Sequence, residues 1–153
     1  YQRLQSLKKK SRDGEYFKEY TQFMASLLSK GHAEEVPQGT EREGKIWYLP
    51  HHGVMHPQKK KLRVVFDCSA TFQGFSLNGC LLQGPNLTSS IFGVLTRFRQ
   101  GKTCFTSDIE AMFYQVRVPE QDRDLLRFLW WPDGNLDKAP KHFRMTVHLF
   151  GAS

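Results

Sequence analysis

The sequence predicts an α+β fold in which antiparallel hairpins pack with amphipathic helices. Three observations predict it: two segments with apolar residues at helical spacing, two pairs of short apolar runs joined by turns, and a composition suited to a folded core. Of the 153 residues, 39% are hydrophobic and 13% are aromatic, which is too apolar for an intrinsically disordered chain. The length is about that of one domain.

Two segments have the spacing of an amphipathic helix. Apolar residues recur every three or four positions over 16–28, and Gly31 follows as a stop. The same spacing returns over 87–98, with Thr88 or Ser89 near the start of the predicted helix. Both patterns predict helices with one apolar face.

Two hairpins are predicted from the strand patterns. The first joins a strand over 46–55, interrupted at Pro50, to a strand over 62–67 through a lysine-rich turn. Alternation in the second strand separates Leu62, Val64 and Phe66 from Lys61, Arg63 and Val65. Same-face neighbours lie roughly 6.6 Å apart, so Lys61 and Arg63 can contact one polyphosphate; a solvated basic turn is the alternative. The second hairpin joins 125–131 to 142–147.

The polar residues 32–45 contain Pro37, Gly39 and Gly44 and are predicted to form a loop. This loop divides the chain into an N-terminal helical lead-in and linker, residues 1–45, and a main domain, residues 46–153.

The charge balance favours an anionic partner. The net charge is +7, which points to nucleic acid, although a basic protein with solvated lysines has the same balance. The three cysteines show no C-x-x-C spacing, so we expect reduced thiols in an intracellular protein of the cytoplasm or nucleus, not a secreted one. No apolar run reaches membrane-spanning length, so no membrane partner is expected. Zinc is rejected for His51, His52 and His56, because adjacent strand residues point to opposite faces.

The stretch Thr103–Val118 is predicted to be a strand that runs into a turn. Alternation sets Phe105 and Ile109 on one face and Asp108 on the opposite face, so the Asp108 carboxylate faces a cleft if the other two side chains pack into the core. An acid at a strand end beside aromatic residues suits a metal and nucleotide site. On chemistry alone this signal is weak, since Asp at a strand end more often serves a turn.

Four blocks then stand in a specific order: YLPHHGVMHP, KLRVVFDCSA, FTSDIEAMFYQVRVPEQDRDLLRFLWW and FRMTVHLFGAS. Together they closely resemble the front part of the reverse transcriptase of BEL/Pao-type long-terminal-repeat retrotransposons. One block alone is weak evidence, but four in this order and spacing are specific. The resemblance covers most of the chain and weakens only near its start.

The resemblance implies a partial right-hand polymerase, with fingers and an incomplete palm, that adds deoxynucleotides to a primer on an RNA or DNA template. Asp108 falls where the family has its first catalytic carboxylate, and the Ile109 carbonyl is implied as a further metal ligand. The implied cofactor is Mg²⁺, two ions in the complete enzyme, with Mn²⁺ as an alternative. Both ligands are the hard oxygens that Mg²⁺ prefers.

The resemblance also implies a nucleotide-binding set. Phe113 falls at the sugar-selecting position, where a ring packed under C2′ leaves no room for a hydroxyl and favours deoxynucleotides. Arg63 matches the arginine that contacts the triphosphate.

Two further positions of that set are less direct matches. The turn before Arg63 is shorter than the family's, so Lys59, Lys60 or Lys61 takes the lysine role. Phe150 and Gly151 fall at the start of the next motif, beside the incoming nucleotide. Broader reverse transcriptases often have Gln in place of the aromatic residue.

One departure from the family concerns the metal site. The other two catalytic acids of the family lie in a later aromatic-x-Asp-Asp turn, and this sequence contains no Asp-Asp pair. The resemblance therefore implies a polymerase fragment, cut before the second catalytic motif, that belongs to a larger retrotransposon polyprotein and is inactive alone. The alternatives are a non-catalytic basic remnant that binds nucleic acid or another partner, and a remnant that does not fold stably.

Overall fold

A computed structural model of the chain describes residues 2–11, 14–37, 39, 45–58 and 61–152. The described part is a mixed α+β structure with small antiparallel sheets, which confirms the predicted class at that level. Its α-helices are α1 (Gln2–Lys10), α2 (Gly14–Ser29), α3 (Leu77–Cys80) and α4 (Ile91–Phe98). Short 3₁₀ helices cover Met112–Gln115, Glu120–Leu126 and Pro132–Gly134. Within these residues no helix is long and apolar enough to cross a bilayer.

Five strands form the two sheets of the described residues. They are β1 (Ala33–Glu35), β2 (His51–Met55), β3 (Leu62–Phe66), β4 (Arg127–Trp130) and β5 (Lys141–Met145). β2 and β3 form one antiparallel hairpin, and β4 and β5 form another, to which β1 adds on the free side of β5. Both predicted hairpins are confirmed, although the first strand begins at His51 instead of Ile46.

Aromatic side chains from α2 and both hairpins form the centre of the core. The Trp130 ring stacks on Tyr20 with centroids 5.3 Å apart, and Phe66 meets Phe128 edge-on at 5.1 Å. All four side chains are buried. Aromatic residues of this size each remove roughly 150–250 Å² from water, so they dominate the burial that holds the hairpins together.

His51 lies among these rings and is joined to two elements by hydrogen bonds. The Leu129 carbonyl can only accept, so the His51 Nε2–H donates to it at 2.8 Å. The Tyr20 hydroxyl then donates to Nδ1 at 2.5 Å. Burial lowers the pKa of His51 to about 4, so the imidazole is neutral near pH 7. A single side chain thereby ties β2 to α2 and β4.

A buried charge network lies beside β4 and β5. The Asp124 carboxylate accepts from Arg127 Nε at 2.9 Å and from Arg144 Nη1 at 3.2 Å, and Arg144 Nε also donates to Glu34 at 2.8 Å. Burial acts to raise the pKa of Asp124, but the bonds and charges of the two arginines outweigh it and leave the pKa below its usual value. Asp124 is 2% exposed and lies at the centre of this network.

Both sides of position 45 contribute to one core. Leu4 and Leu7 of α1 are buried, and α2 supplies Tyr20 and Met24. The loop predicted over 32–45 is wrong for β1, whose three residues pair with β5. A strand this short and polar carries no period-2 apolar signal. The assignment of separate roles to residues 1–45 and 46–153 stays a prediction.

The segment 81–112 lies outside this core. α4 is confirmed as a helix, but its N-cap is Ser90, whose hydroxyl accepts from the Gly93 amide at 3.2 Å, instead of Thr88 or Ser89. Not one residue of α4 is buried. The strand predicted from Thr103 is also wrong, because residues 104–109 have irregular, exposed backbone without a partner strand among the described residues. A strand needs a partner for its backbone groups, and no described strand lies beside this segment.

Candidate functional site

Two aromatic residues of the predicted nucleotide set lie against each other. Phe113, in the 3₁₀ helix Met112–Gln115, is half-buried. Phe150 meets it edge-on, with ring centroids 5.2 Å apart and ring planes at 81°. His148, which the sequence did not single out, stacks on Phe113 with centroids 5.7 Å apart and planes at 21°. The site therefore has a group of three rings at its centre.

Backbone hydrogen bonds fix the two segments that carry these rings. The His148 amide donates to the Val116 carbonyl at 2.8 Å, and the Val118 amide donates to the Thr146 carbonyl at 2.9 Å. The Thr146 amide in turn donates to the His32 carbonyl at 2.9 Å, beyond the end of α2. The segment 146–148 is thus held on both sides, and the aromatic group sits on a fixed backbone.

Gly151 follows Phe150 in the chain and lies close to the end of β3. Its carbonyl accepts from Asn78 Nδ2 of α3 at 3.0 Å. Its φ of +103° lies in a region that favours glycine, and a Cβ there would lie 3.8 Å from the Phe66 carbonyl oxygen, so space is available but the backbone would be strained. Gly151 therefore lets the chain turn immediately after Phe150, close to β3.

Arg63 lies on β3, opposite Val54, with its side chain exposed. The predicted alternation is confirmed here: Leu62 and Phe66 are buried, whereas Arg63 is exposed. Within the described residues Arg63 forms no ion pair, so its guanidinium is available to an anion. Three strand positions, roughly 10 Å, separate it from the Phe66 carbonyl near Gly151.

The lysines that precede β3 are covered only in part. Lys61 is exposed, and its carbonyl accepts from the His56 amide at 3.0 Å, which closes the hairpin turn. Lys59 and Lys60 lie outside the described residues. The choice among the three for a phosphate contact stays open.

Asp108 lies on the irregular segment 104–109, whereas the sequence predicted it at the end of a strand. Its Oδ1 accepts from the neighbouring Ile109 amide at 3.0 Å, and it forms no ion pair with any described residue. Phe105 is 86% exposed and Ile109 is 61% exposed, so neither packs into the core and the condition for Asp108 to face a cleft is not met. The carboxylate is solvated, and so is the segment that carries it.

The described residues do not by themselves form a two-ion magnesium site. A pair of divalent ions needs several oxygen ligands held together. No group of three or more His, Cys, Asp or Glu side chains in this part of the chain is arranged to hold a metal. Asp108 alone is one ligand, so no chemical step through a metal follows from these residues.

A cavity of about 800 Å³ lies elsewhere, between α1, the segment 46–51 and the turn at 70–73. Two of its polar side chains are already engaged: Arg3 pairs with Asp67 at 2.8 Å, and both ring nitrogens of His51 are hydrogen-bonded. None of the predicted site residues lines it. The aromatic group around Phe113 is therefore a separate feature on a more open surface.

No protein-family model matches the chain, and no curated protein sequence matches it.

His148 is the residue of the site that sequence reasoning missed. It stands two positions before Phe150, and period-2 alternation places such residues on one face of an extended segment. That spacing was the available signal. The hydrogen bond from Asn78 to Gly151 has no such signal in the sequence, since it joins residues 73 positions apart.

Proposed function

We propose that this chain supplies the nucleotide-selecting part of an RNA-directed DNA polymerase, which transfers deoxynucleotides to the 3′-hydroxyl of a primer on an RNA or DNA template. The observation that carries the proposal is the contact between Phe113 and Phe150 beside the end of the strand that bears Arg63. It supports the proposal because the four ordered sequence blocks imply a nucleotide contact for each of these residues.

In this proposal each residue has one physical role. The Arg63 guanidinium, exposed and without an ion-pair partner in the described chain, donates to triphosphate oxygens with the planar fork that suits them. The Phe113 ring packs under C2′ of the sugar and excludes a 2′-hydroxyl by contact. Phe150 supports that ring from its edge. A lysine of the 59–61 turn adds a point charge to the phosphates.

Asp108 is proposed as one carboxylate of the catalytic site, with the Ile109 carbonyl beside it. Mg²⁺ is the proposed cofactor, with Mn²⁺ as a substitute, because both ligands are hard oxygens. The remaining ligands of a two-ion site come, in this proposal, from an aromatic-x-Asp-Asp segment of a longer polyprotein. Reading the coding sequence in frame beyond residue 153 tests this, and the absence of such a segment would contradict an active polymerase.

Ribonucleotide discrimination tests the role of Phe113 in a polypeptide that contains this chain and synthesises DNA. Phe113→Ala should raise incorporation of ribonucleotides relative to deoxynucleotides, because the ring that excludes the 2′-hydroxyl is gone. The control is Phe105→Ala, an 86% exposed phenylalanine on the same segment, which should keep the discrimination unchanged. An unchanged ratio in Phe113→Ala would contradict the assignment.

Asp108→Asn tests the catalytic carboxylate in the same polypeptide. The variant should abolish synthesis while sparing binding of the template, since it removes a charge from the proposed metal site and leaves the fold untouched. Asp137→Asn, at another exposed aspartate, is the matched control and should retain activity. Synthesis at the normal rate by Asp108→Asn would remove this residue from the mechanism.

The net charge of +7 supports a second candidate, a non-catalytic module that binds nucleic acid through phosphates. Such binding weakens with salt, with a log–log slope of roughly −0.9 for each duplex phosphate contact. Titration of the 153-residue chain with duplex and single-stranded oligonucleotides at increasing salt measures that slope. Affinity that does not respond to salt, or no binding at low salt, would exclude this function.

A further inference from the structure

We infer that His148 is a positioning residue for Phe113 and thereby determines how strongly the site discriminates deoxynucleotides from ribonucleotides. The inference rests on the proposed function, because it assigns a task within the same site. It begins from the stacked contact of the two rings, whose planes differ by 21°. A stacked neighbour restricts the tilt of a phenyl ring, and tilt decides how closely the ring approaches a sugar above it.

The hydrogen bond that holds His148 comes from its backbone amide and not from its imidazole. Its amide donates to the Val116 carbonyl, which lies on the segment that carries Phe113. By contrast, the buried Nδ1 atom of the imidazole has no hydrogen-bond partner among the described residues. The imidazole is therefore oriented by packing, to which its stack on Phe113 contributes.

The other ring in contact with Phe113 is less constrained. Phe150 is 68% exposed and touches Phe113 by an edge, whereas His148 is half-buried and touches it by a face. On its own account His148 also borders an apolar cavity of about 140 Å³ together with Leu126 and Leu149. Removal of the imidazole would enlarge this cavity and leave Phe113 free to move into it.

The size of the effect follows from the precision that a steric gate needs. A reacting group misplaced by about 1 Å can lose roughly 100-fold in rate, and a gate that relies on contact is comparably sensitive. His148 controls the tilt of the Phe113 ring but is not itself the steric gate. We therefore expect a smaller loss of selectivity, about 10-fold.

The first test compares variants of a DNA-synthesising polypeptide that contains this chain. The measured quantity is the ratio of kcat/KM for a deoxynucleotide to that for the matching ribonucleotide. His148→Ala should lower this ratio about 10-fold with little change in kcat for the deoxynucleotide, whereas His148→Phe, which keeps a ring to stack, should retain it. The control is His32→Ala, which removes a ring tilted against Tyr114, the neighbour of Phe113, with centroids 4.9 Å apart, and should leave the ratio unchanged.

A second measurement uses the 153-residue chain itself, without any activity. The ring protons of Phe113, observed by NMR, should shift in His148→Ala and return towards the normal position in His148→Phe. If the longer polypeptide synthesises no DNA, the proposed function fails, and the NMR result alone decides whether His148 positions Phe113. An unchanged Phe113 signal, an unchanged ratio in His148→Ala, or an equal loss in His32→Ala would overturn the inference.

Discussion

The core around Trp130 and the segment 81–112 are both rich in large apolar side chains, but those of the core are buried and those of the segment are exposed. Phe128 in the core is 2% exposed, whereas Phe92 on α4 is 78% exposed. The helix α4 lies in this exposed segment. Its apolar residues recur at regular helical spacing, yet none of them is buried. Periodicity therefore predicts which secondary structure forms, while the burial of an apolar face depends on whether another surface lies against it.

Two matched truncations should separate these regions most strongly. Phe128→Ala should lower the free energy of unfolding by about 3–5 kcal/mol, because it opens a cavity among closely packed rings. Phe92→Ala should change it by less than about 0.5 kcal/mol, since the ring lies in water. Urea unfolding followed by tryptophan fluorescence measures both. Equal losses in the two variants would mean that α4 is packed in solution.

The same contrast applies to charge. Asp124→Asn should lower the free energy of unfolding by about 3 kcal/mol, because two buried arginines lose a shared anionic partner. Glu35→Gln breaks the exposed pair with Lys141 at 2.8 Å and should cost less than about 1 kcal/mol. Thermal or urea unfolding near pH 7 gives both values. A small loss in Asp124→Asn would show that water reaches the network.

Acid should weaken the core through His51. Its pKa is about 4 in the folded protein, below the usual value of about 6.5, so the folded state favours the neutral ring. The resulting stability is fully present above pH ~6.5 and is lost as pH falls towards 4, by up to about 3 kcal/mol.

A neighbouring histidine supplies the control for that pH dependence. His51→Gln should flatten the decline between pH 6.5 and 4, whereas His52→Gln, at an exposed position on the other face of β2, should leave it in place. Where His51→Gln does not fold, NMR titration of the wild-type ring provides the same information. A ring that titrates near pH 6.5 would contradict the account.

The smallest effect is expected at the N-cap of α4. Ser90→Ala removes the bond to the Gly93 amide and should destabilise the helix by about 1 kcal/mol. Because α4 buries nothing, the global free energy of unfolding should stay unchanged. Amide hydrogen exchange at Val94, which donates to the Ser90 carbonyl, should accelerate while core amides keep their rates. A loss of global stability would mean that α4 packs against the core.

Local patterns predicted the elements that rest on local physics. The hairpins at β2–β3 and β4–β5, the α2 helix and the alternation that exposes Arg63 all follow from spacing within a few residues. The strand through Asp108 was predicted by the same rule and is wrong, because a strand also needs a partner, which no local pattern supplies.

Features that join distant residues could not be predicted from spacing. The burial of Asp124 depends on two arginines, one of them 20 positions away, and the strand β1 depends on β5. In the candidate site, the resemblance singled out Phe113 and Phe150 as nucleotide-binding residues. Their contact with each other and the stacking of His148 are seen only in the fold.

The pairing of β1 with β5 also has a consequence for how the protein is made. Glu34 and Arg144, which bond across these strands, are 110 residues apart in the chain. At about 5–20 residues per second, a ribosome that has completed β1 needs roughly 5–20 s to deliver the strand it pairs with. During synthesis β1 therefore waits without its partner strand, and closing the sheet is a late, slow step of folding.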